Sequence, residues 1–475
     1  MVHHAGGRPW IERVSANDMT TLATDRGPVP MNIGAVLVVE DGGELDFATV
    51  RTVLESRLPR VRRMRQRLVS TPFGCGRPLW VDDPSFDLDR HLAETAVAVA
   101  TGSAADQCAV SDARLRQVAA DLTCTRLPFD HPLWTACWVT GLADHRAALV
   151  LVIHHSLTDG VGGLAVLAAL GDHGVDPVTG RFPKPWPSRR SMAGDAWQAR
   201  ATALTGIPGR FRANLLGLRE LGLGTQAPRL ATRTSLNRPT GPRRRLTTIE
   251  VGLARLSHVA HSRGCTVNDM LLTAITGAMA NVLRQRGERL CELVISVPIS
   301  VRRRTTADAL GNQTGVVPMT IPTMPDQQVR LGRVAAMSRM RGTGTRGTSA
   351  GPMGLAFRAL AVLGLFQLFV DHQRLVHTFV TNMRGPSQRV LFAGHEVSTV
   401  IPVAVTPGNV GVCFDVLSYA GRLVVTVVAD PDILPEQDLL TSLLADELTQ
   451  LVRDETANQP CGPSESKDWA GFSNS

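Results

Sequence analysis

Several residue types are scarce in this chain, and each scarcity removes a class of protein. Eight cysteines in 475 residues, none in a Cys-x-x-Cys pair, are too few and too scattered for a disulfide scaffold, a zinc ribbon or a thioredoxin-like site. Only 4% of residues are Phe, Trp or Tyr, and no basic stripe is interleaved with aromatics, so a nucleic-acid surface is disfavoured. Charged residues make up 19% against 44% hydrophobic, which argues against disorder over most of the length. Lysine is nearly missing: of 50 basic residues only Lys184 and Lys467 are lysines. Arginine therefore carries the net charge of +8, which suits an anionic cofactor, a phosphate-rich ligand or an acidic membrane surface. There is no uncharged apolar run of 18 residues, so a spanning helix is not expected. Residues 1–15 carry no apolar segment of the signal-peptide kind. The longest apolar stretch, residues 354–370, is broken by Arg358 and Gln367 and suits either a core wall or a bilayer interface. P-loop, dinucleotide and Gly-x-Ser-x-Gly signatures are also missing, which weakens kinase, dehydrogenase and hydrolase readings.

What remains is a mixed α/β pattern. Strands are expected at 33–40, 134–142, 147–153, 293–298, 376–382, 410–418 and 423–429. Helices are expected at 47–57, 115–122, 160–170, 192–204, 254–262, 266–284, 330–341 and 436–452. The run AALVLVI at 147–153 has no polar alternation, as in a strand covered on both faces. Helical patterning is strong at 266–284, with Thr266 or Asn268 near its start and Leu272, Ile275 and Met279 on one face. Order weakens between about 171 and 246, where prolines and Arg243-Arg244-Arg245 punctuate a crossover. The expected division is 1–205, a linker at 206–245, a second half at 246–457 and a disordered tail at 458–475.

The most informative residues are His154-His155-Ser156-Leu157-Thr158-Asp159-Gly160, placed between the apolar strand and the next helix. A neutral imidazole held rigidly at a strand end has the right basicity to take a proton from a hydroxyl. Asp159 suits a turn, a cap or an arginine partner, and Gly160 permits close packing where the helix starts. The residues alone leave three readings open: a catalytic base, a metal site and a structural histidine pair. The metal reading lacks His-Glu-x-x-His spacing.

HHSLTDG at 154–160 resembles the HHxxxDG motif of the CoA-dependent acyltransferase superfamily. Its flanks resemble the bacterial wax ester synthase/diacylglycerol acyltransferase family: PLWVDDP at 78–84 with Phe86-Asp87-Leu88 and His91, and LPFDHPLW at 127–134. Further similar segments are Thr266-Val267-Asn268-Asp269, Val297 to Arg302, Gly311-Asn312, Asn382 to Pro386, Tyr419-Ala420-Gly421 and Ala429-Asp430-Pro431. The similarity spans residues 11 to 452 and departs from the family pattern at His131, in an arginine's place, and at Met383-Arg384, in Val-Pro slots.

The resemblance implies a two-domain α/β fold, each domain a mixed sheet with packed helices, and a channel between the domains. It implies His155 as general base, with His154 supporting the turn and Asp159 paired with Arg302. Asn268 would face the channel, with an N-cap as its plainer role, while Asp269 favours the first helical turn by charge alone. Gly160 would keep its packing role. Trp80 and Trp134 are read as packing residues. The implied reaction is long-chain acyl transfer from acyl-CoA, a co-substrate and not a resident cofactor, to diacylglycerol. Alternatives are a fatty alcohol acceptor, a polyketide or glycolipid hydroxyl, and a silent lipid-binding protein. No metal and no nucleic-acid partner are expected. A cytoplasmic chain in peripheral contact with the inner membrane or lipid droplets is expected, with Phe366 and Phe369 as the apolar contact.

Overall fold

The computed structural model describes residues 11–98, 102–175, 182–205, 230–300, 314–342, 350–405 and 408–453. Arg302, Gly311, Asn312, most of the expected linker and the expected tail lie outside the described residues.

The described strands run β1 (Asn32–Glu40), β2 (Gln66–Val69), β3 (Leu79–Asp82), β4 (Leu92–Ala96), β5 (Trp134–Thr140), β6 (Ala147–His154) and β7 (Arg245–Gly252). They continue with β8 (Glu292–Ser300), β9 (Thr314–Pro322), β10 (Thr378–Arg384), β11 (Leu391–Phe392), β12 (His395–Ala404), β13 (Val412–Tyr419) and β14 (Arg422–Ala429). They form two six-stranded mixed sheets, ordered β11-β12-β1-β6-β5-β4 and β7-β14-β13-β10-β8-β9, plus the hairpin β2-β3. The two-domain mixed α/β architecture is that expected from the sequence.

Strand β6 shows why its sequence lacks alternation. Leu149, Leu151 and Ile153 enter a core with Val50 and Leu54 of the helix Phe47–Arg57 and Val166 and Leu170 of the helix Gly160–Leu170. Ala148, Val150 and Val152 enter a second core that includes Leu246, Cys413, Val424 and Val428 from the other sheet. The sheets thus pack against each other through an apolar layer, and both faces of β6 leave water. Each such leucine or valine contributes up to about 1.5–3 kcal/mol when fully buried. The second sheet buries its other face, Phe414, Val416, Val425 and Val427, under the helices Val267–Gln285 and Gln437–Arg453.

One connection crosses the sequence division. β11 and β12 fall in the interval 246–457, yet β12 pairs antiparallel with β1, with Ala404 opposite Ile33 and Val400 opposite Leu37. The chain therefore returns from β10 to complete the first sheet and then goes back for β13. A contiguous cut does not describe the sheets, because strand pairing is set by register and not by chain order.

Residues 350–372 form two helices, Ala350–Val362 and Phe366–His372. Phe366 is buried, and it packs with Phe357 and Phe369 beside Ala23. This corrects the expectation that Phe366 faces a membrane, while Phe369 is half-buried; the periodicity of a seven-residue helix cannot reveal which face meets its neighbour. The outward residues are Val362, Leu363, Leu365 and Leu368, at 85%, 68%, 46% and 60% exposure. No helix among the described residues is long and apolar enough to cross a membrane.

Candidate active site

The histidine pair sits where β6 ends beside β1. The His154 N–H donates to the Leu133 carbonyl and the His155 N–H to the Met31 carbonyl, 2.9 and 2.8 Å away, so neighbouring segments hold the backbone on both sides. Successive side chains of an extended strand point to opposite faces, and the two rings have different surroundings.

His154 is buried. The Ser156 backbone N–H donates to its Nδ1 at 3.1 Å, so Nδ1 acts as acceptor and the ring proton belongs on Nε2, 3.3 Å from Asp25 Oδ2. Asp25 also accepts from Arg126 Nη1 at 2.8 Å and, through Oδ1, from the Met31 N–H at 3.0 Å. Burial works against the Asp25 carboxylate, but the His154 hydrogen bond, the Met31 N–H and Arg126 together hold its pKa below the usual 3.8. The Phe129 ring stands edge-on to His154 at 5.7 Å. His154 thus ties β6 to the 25–31 segment.

His155 is only partly accessible. Its Nδ1 lies 3.0 Å from the Thr158 carbonyl oxygen, which can only accept, so Nδ1 carries the proton and Nε2 is left with the lone pair. Burial lowers its pKa from 6.5, against weaker opposing contributions from backbone hydrogen bonds and Asp159. The ring is therefore neutral near pH 7 and able to receive a proton at Nε2.

Asp159 is the N-cap of the helix Gly160–Leu170, and its Oδ1 accepts from the Gly162 N–H at 2.9 Å. Gly160 lies against Met383 of β10, and a Cβ there would meet the Met383 sulfur. A glycine at the helix start therefore lets a strand of the second sheet approach the histidine loop. One residue along β10, Asn382 Nδ2 donates to Asn268 Oδ1 at 3.2 Å. These contacts run from His155 through its loop to Gly160, Met383, Asn382 and Asn268.

Asn268 is not the N-cap of its helix. Thr266 is, in a capping box with Asp269: Thr266 Oγ1 accepts from the Asp269 N–H at 3.1 Å, and Asp269 Oδ2 accepts from the Thr266 N–H at 2.9 Å. Ser338 donates to the other oxygen of Asp269, which is buried. Asp269 is thus engaged in capping, and Asn268 is left to reach β10. Trp80 and Trp134 are buried, and Trp134 Nε1 donates to the Met64 carbonyl. Among the described residues, no group of three or more His, Cys, Asp or Glu side chains could hold a metal ion.

Sequence reasoning missed Asp25, and it held Phe129, Asn382 and Met383 only as members of family-like segments, without their contacts at the site. Those contacts are tertiary, and no local spacing reveals them.

Two family profiles cover most of the chain. The wax ester synthase/diacylglycerol acyltransferase catalytic domain matches residues 14–271, and the WS/DGAT C-terminal domain matches residues 310–452. A probable diacylglycerol O-acyltransferase of Mycobacterium tuberculosis is 31% identical over 447 residues, 89% of this chain and 92% of the relative. A second putative diacylglycerol O-acyltransferase of that species is 26% identical over 455 residues, 92% of this chain and 95% of the relative. In solved structures, the wax ester synthase/diacylglycerol acyltransferase of Marinobacter aquaeolei VT8 shares the fold with a TM-score of 0.66 at 19% identity, covering 94% of this chain and 100% of that one. A starter condensation domain of rhizomide synthetase, solved with C8-CoA, gives a TM-score of 0.59 at 16% identity, covering 93% and 94%. With both profiles matched in order and the curated relatives covered almost end to end, the chain belongs to the wax ester synthase/diacylglycerol acyltransferase family and is an acyltransferase.

Proposed function

We propose that this acyltransferase moves a long-chain acyl group from acyl-CoA to the free hydroxyl of diacylglycerol, with His155 as general base. The observation that carries the reading is the Nδ1 hydrogen bond of His155 to the Thr158 carbonyl, which leaves the Nε2 lone pair for a substrate proton. Nε2 takes the hydroxyl proton as the alcohol oxygen attacks the thioester carbonyl. The tetrahedral intermediate collapses, the carbon–sulfur bond breaks, and the imidazolium returns the proton to the leaving thiolate. Free CoA and triacylglycerol result, and no covalent acyl-protein forms. Asn268 and Asn382 supply amide groups on the β10 side for orienting the acceptor.

Diacylglycerol is favoured because the relatives that cover this chain are named diacylglycerol O-acyltransferases. The family description equally includes wax ester synthesis, so a fatty alcohol is the second reading. Purified protein with long-chain acyl-CoA and a panel of diacylglycerols and fatty alcohols separates them. The highest kcat/KM is expected with a diacylglycerol. A preference for the alcohols would move the assignment to wax ester synthesis.

A water-insoluble acceptor calls for a lipid surface, and Val362, Leu363, Leu365 and Leu368 are suited to meet one. Gln367 lies against Gly27, and the carbonyl of Gly27 accepts from Arg126, the partner of Asp25. The exposed apolar residues therefore border the segment that holds His154.

Asp159 and Arg302 give a separate prediction. Loss of the cap in Asp159→Ala costs about 1 kcal/mol. If the pair forms, Asp159→Ala and Arg302→Ala each lower activity further, and their effects are non-additive by about 0.5–3 kcal/mol in a double-mutant cycle. A cycle with no coupling leaves Asp159 as a cap alone.

A further inference from the structure

A polar row crosses the apolar layer between the sheets. Thr381 on β10 lies opposite Asp415 on β13, Asp415 opposite Thr426 on β14, and Thr426 opposite Thr248 on β7. By the two-residue period of strands, Asp415 shares its face with Cys413 and Leu417, and Thr426 shares its face with Val424 and Val428. Cys413, Val424 and Val428 belong to the inter-sheet core. Asp415 is 2% exposed.

Its carboxyl group joins three strands. Oδ1 accepts from Thr381 Oγ1 at 2.8 Å, and Oδ2 accepts from the Ala404 backbone N–H at 2.7 Å. Ala404 ends β12, which with β11 the second half contributes to the first sheet. Ala404 lies opposite Ile33, and Ile33 opposite Ile153. Ala404 is therefore two strand spacings, about 10 Å, from the residue that precedes the histidine pair. On the other arm, Thr381 directly precedes Asn382, which reaches Asn268, and Met383, which reaches Gly160.

We propose that Asp415 is a positioning residue of the acyl-transfer site, which pins β10 to β12 and so fixes Met383 against Gly160, beside the loop of His155, and Asn382 against Asn268. The inference rests on the reading of His155 as the base. It also explains a costly residue choice. A carboxyl group in an apolar layer is unfavourable unless it satisfies donors that would otherwise be orphaned. Here it satisfies two, while the buried Thr426 Oγ1 on its other side has no partner among the described residues.

The same two contacts suit either protonation state: a carboxylate accepts from both Ala404 and Thr381, whereas a neutral carboxyl group accepts from Ala404 and turns its O–H to the Thr381 hydroxyl, which then accepts. Burial raises the Asp415 pKa to about 7, against smaller opposing contributions from Thr381 and Ala404. The groups facing it are Thr381 on β10, Thr426 on β14 and the Ala404 N–H on β12; no charged side chain contributes to its shift among the described residues. Between 3.8 and about 7 the folded chain holds one more proton at Asp415 than the unfolded chain does. Stability therefore falls as pH rises through that window and levels off above it. Asparagine reproduces the neutral hydrogen-bond set and cannot ionise.

The test uses the full chain with Asp415→Asn, Asp415→Val, Thr381→Val and, as a control, His155→Ala. Asp415→Asn is expected to keep wild-type turnover at pH 6, and its Tm advantage over wild type is expected to grow from pH 4 to 7. Asp415→Val orphans both donors and is expected to lower kcat by about 10- to 10²-fold, with a smaller change in KM for acyl-CoA, as for a misplaced site. Thr381→Val removes one arm and is expected to lower kcat less; it carries the test if Asp415→Val does not fold. Unchanged kcat and KM in folded Asp415→Val, or in Thr381→Val where that variant is the one that folds, together with an inactive His155→Ala, would overturn this inference alone. An active His155→Ala would overturn the base reading instead. The pin is then decided by Asp415→Val and Thr381→Val, where unchanged kcat in the folded variants counts against it.

Discussion

Alanine at position 155 is expected to lower acyl transfer at least roughly 10²-fold, the lower end for a positioned general base. The variant should fold and should still bind acyl-CoA, because His155 contributes one ring-to-carbonyl hydrogen bond and little of the core. Alanine at position 154 should act differently. His154 is buried and contacts Asp25, Ser156 and Phe129, so its loss leaves the Asp25 carboxylate short of a donor and lowers stability along with activity. A folded His155→Ala enzyme with near-normal kcat would defeat the proposed chemistry. The pH profile gives an independent check. A base must be neutral to accept a proton, and burial keeps the His155 pKa below 6.5. The acid limb of kcat/KM should therefore be centred below pH 6.5. An acid limb centred above pH 7 would contradict this environment.

The second large effect concerns lipid contact. Changing Val362, Leu363, Leu365 and Leu368 together to serine is expected to reduce partition onto liposomes by about 10²- to 10³-fold, from roughly 1 kcal/mol for each partly inserted side chain. Flotation of the folded variant against wild type measures it. Phe366→Ser should instead destabilise the fold, because that ring is inside. Anionic liposomes should bind wild type better than neutral ones, and salt should weaken the difference. Unchanged flotation of the quadruple variant would place lipid contact on another surface.

The legibility of this molecule in its sequence follows the range of each interaction. The histidine strand, the helix after it and the long helix from Val267 were readable because hydrophobic period and turn residues act locally. The uninterrupted apolar run at 147–153 correctly indicated a strand covered on both faces, one by helices and the other by the second sheet. Strand β12 was not recognised, since HEVSTVIPVA mixes polar residues and a proline and acquires its strand identity by pairing with β1. Both Thr266 and Asn268 suit the start of the long helix by residue type, and geometry decides in favour of Thr266. Asp415 gave no sequence signal at all, because a lone aspartate in VCFDVLSY reads as a polar residue of an ordinary strand, and only register places it between two sheets.

The central claim is direct acyl transfer from CoA to a lipid hydroxyl with no acyl-protein intermediate, and product stoichiometry tests it most directly. Purified wild-type chain, labelled long-chain acyl-CoA and diacylglycerol are combined, and free CoA thiol, triacylglycerol and protein-bound label are measured in the same samples. The expected result is one thiol per triacylglycerol, release that depends on the acceptor, and no label on the protein when the acceptor is omitted. Thiol release that is indifferent to any acceptor, or label that accumulates on the protein before ester appears, would contradict the account.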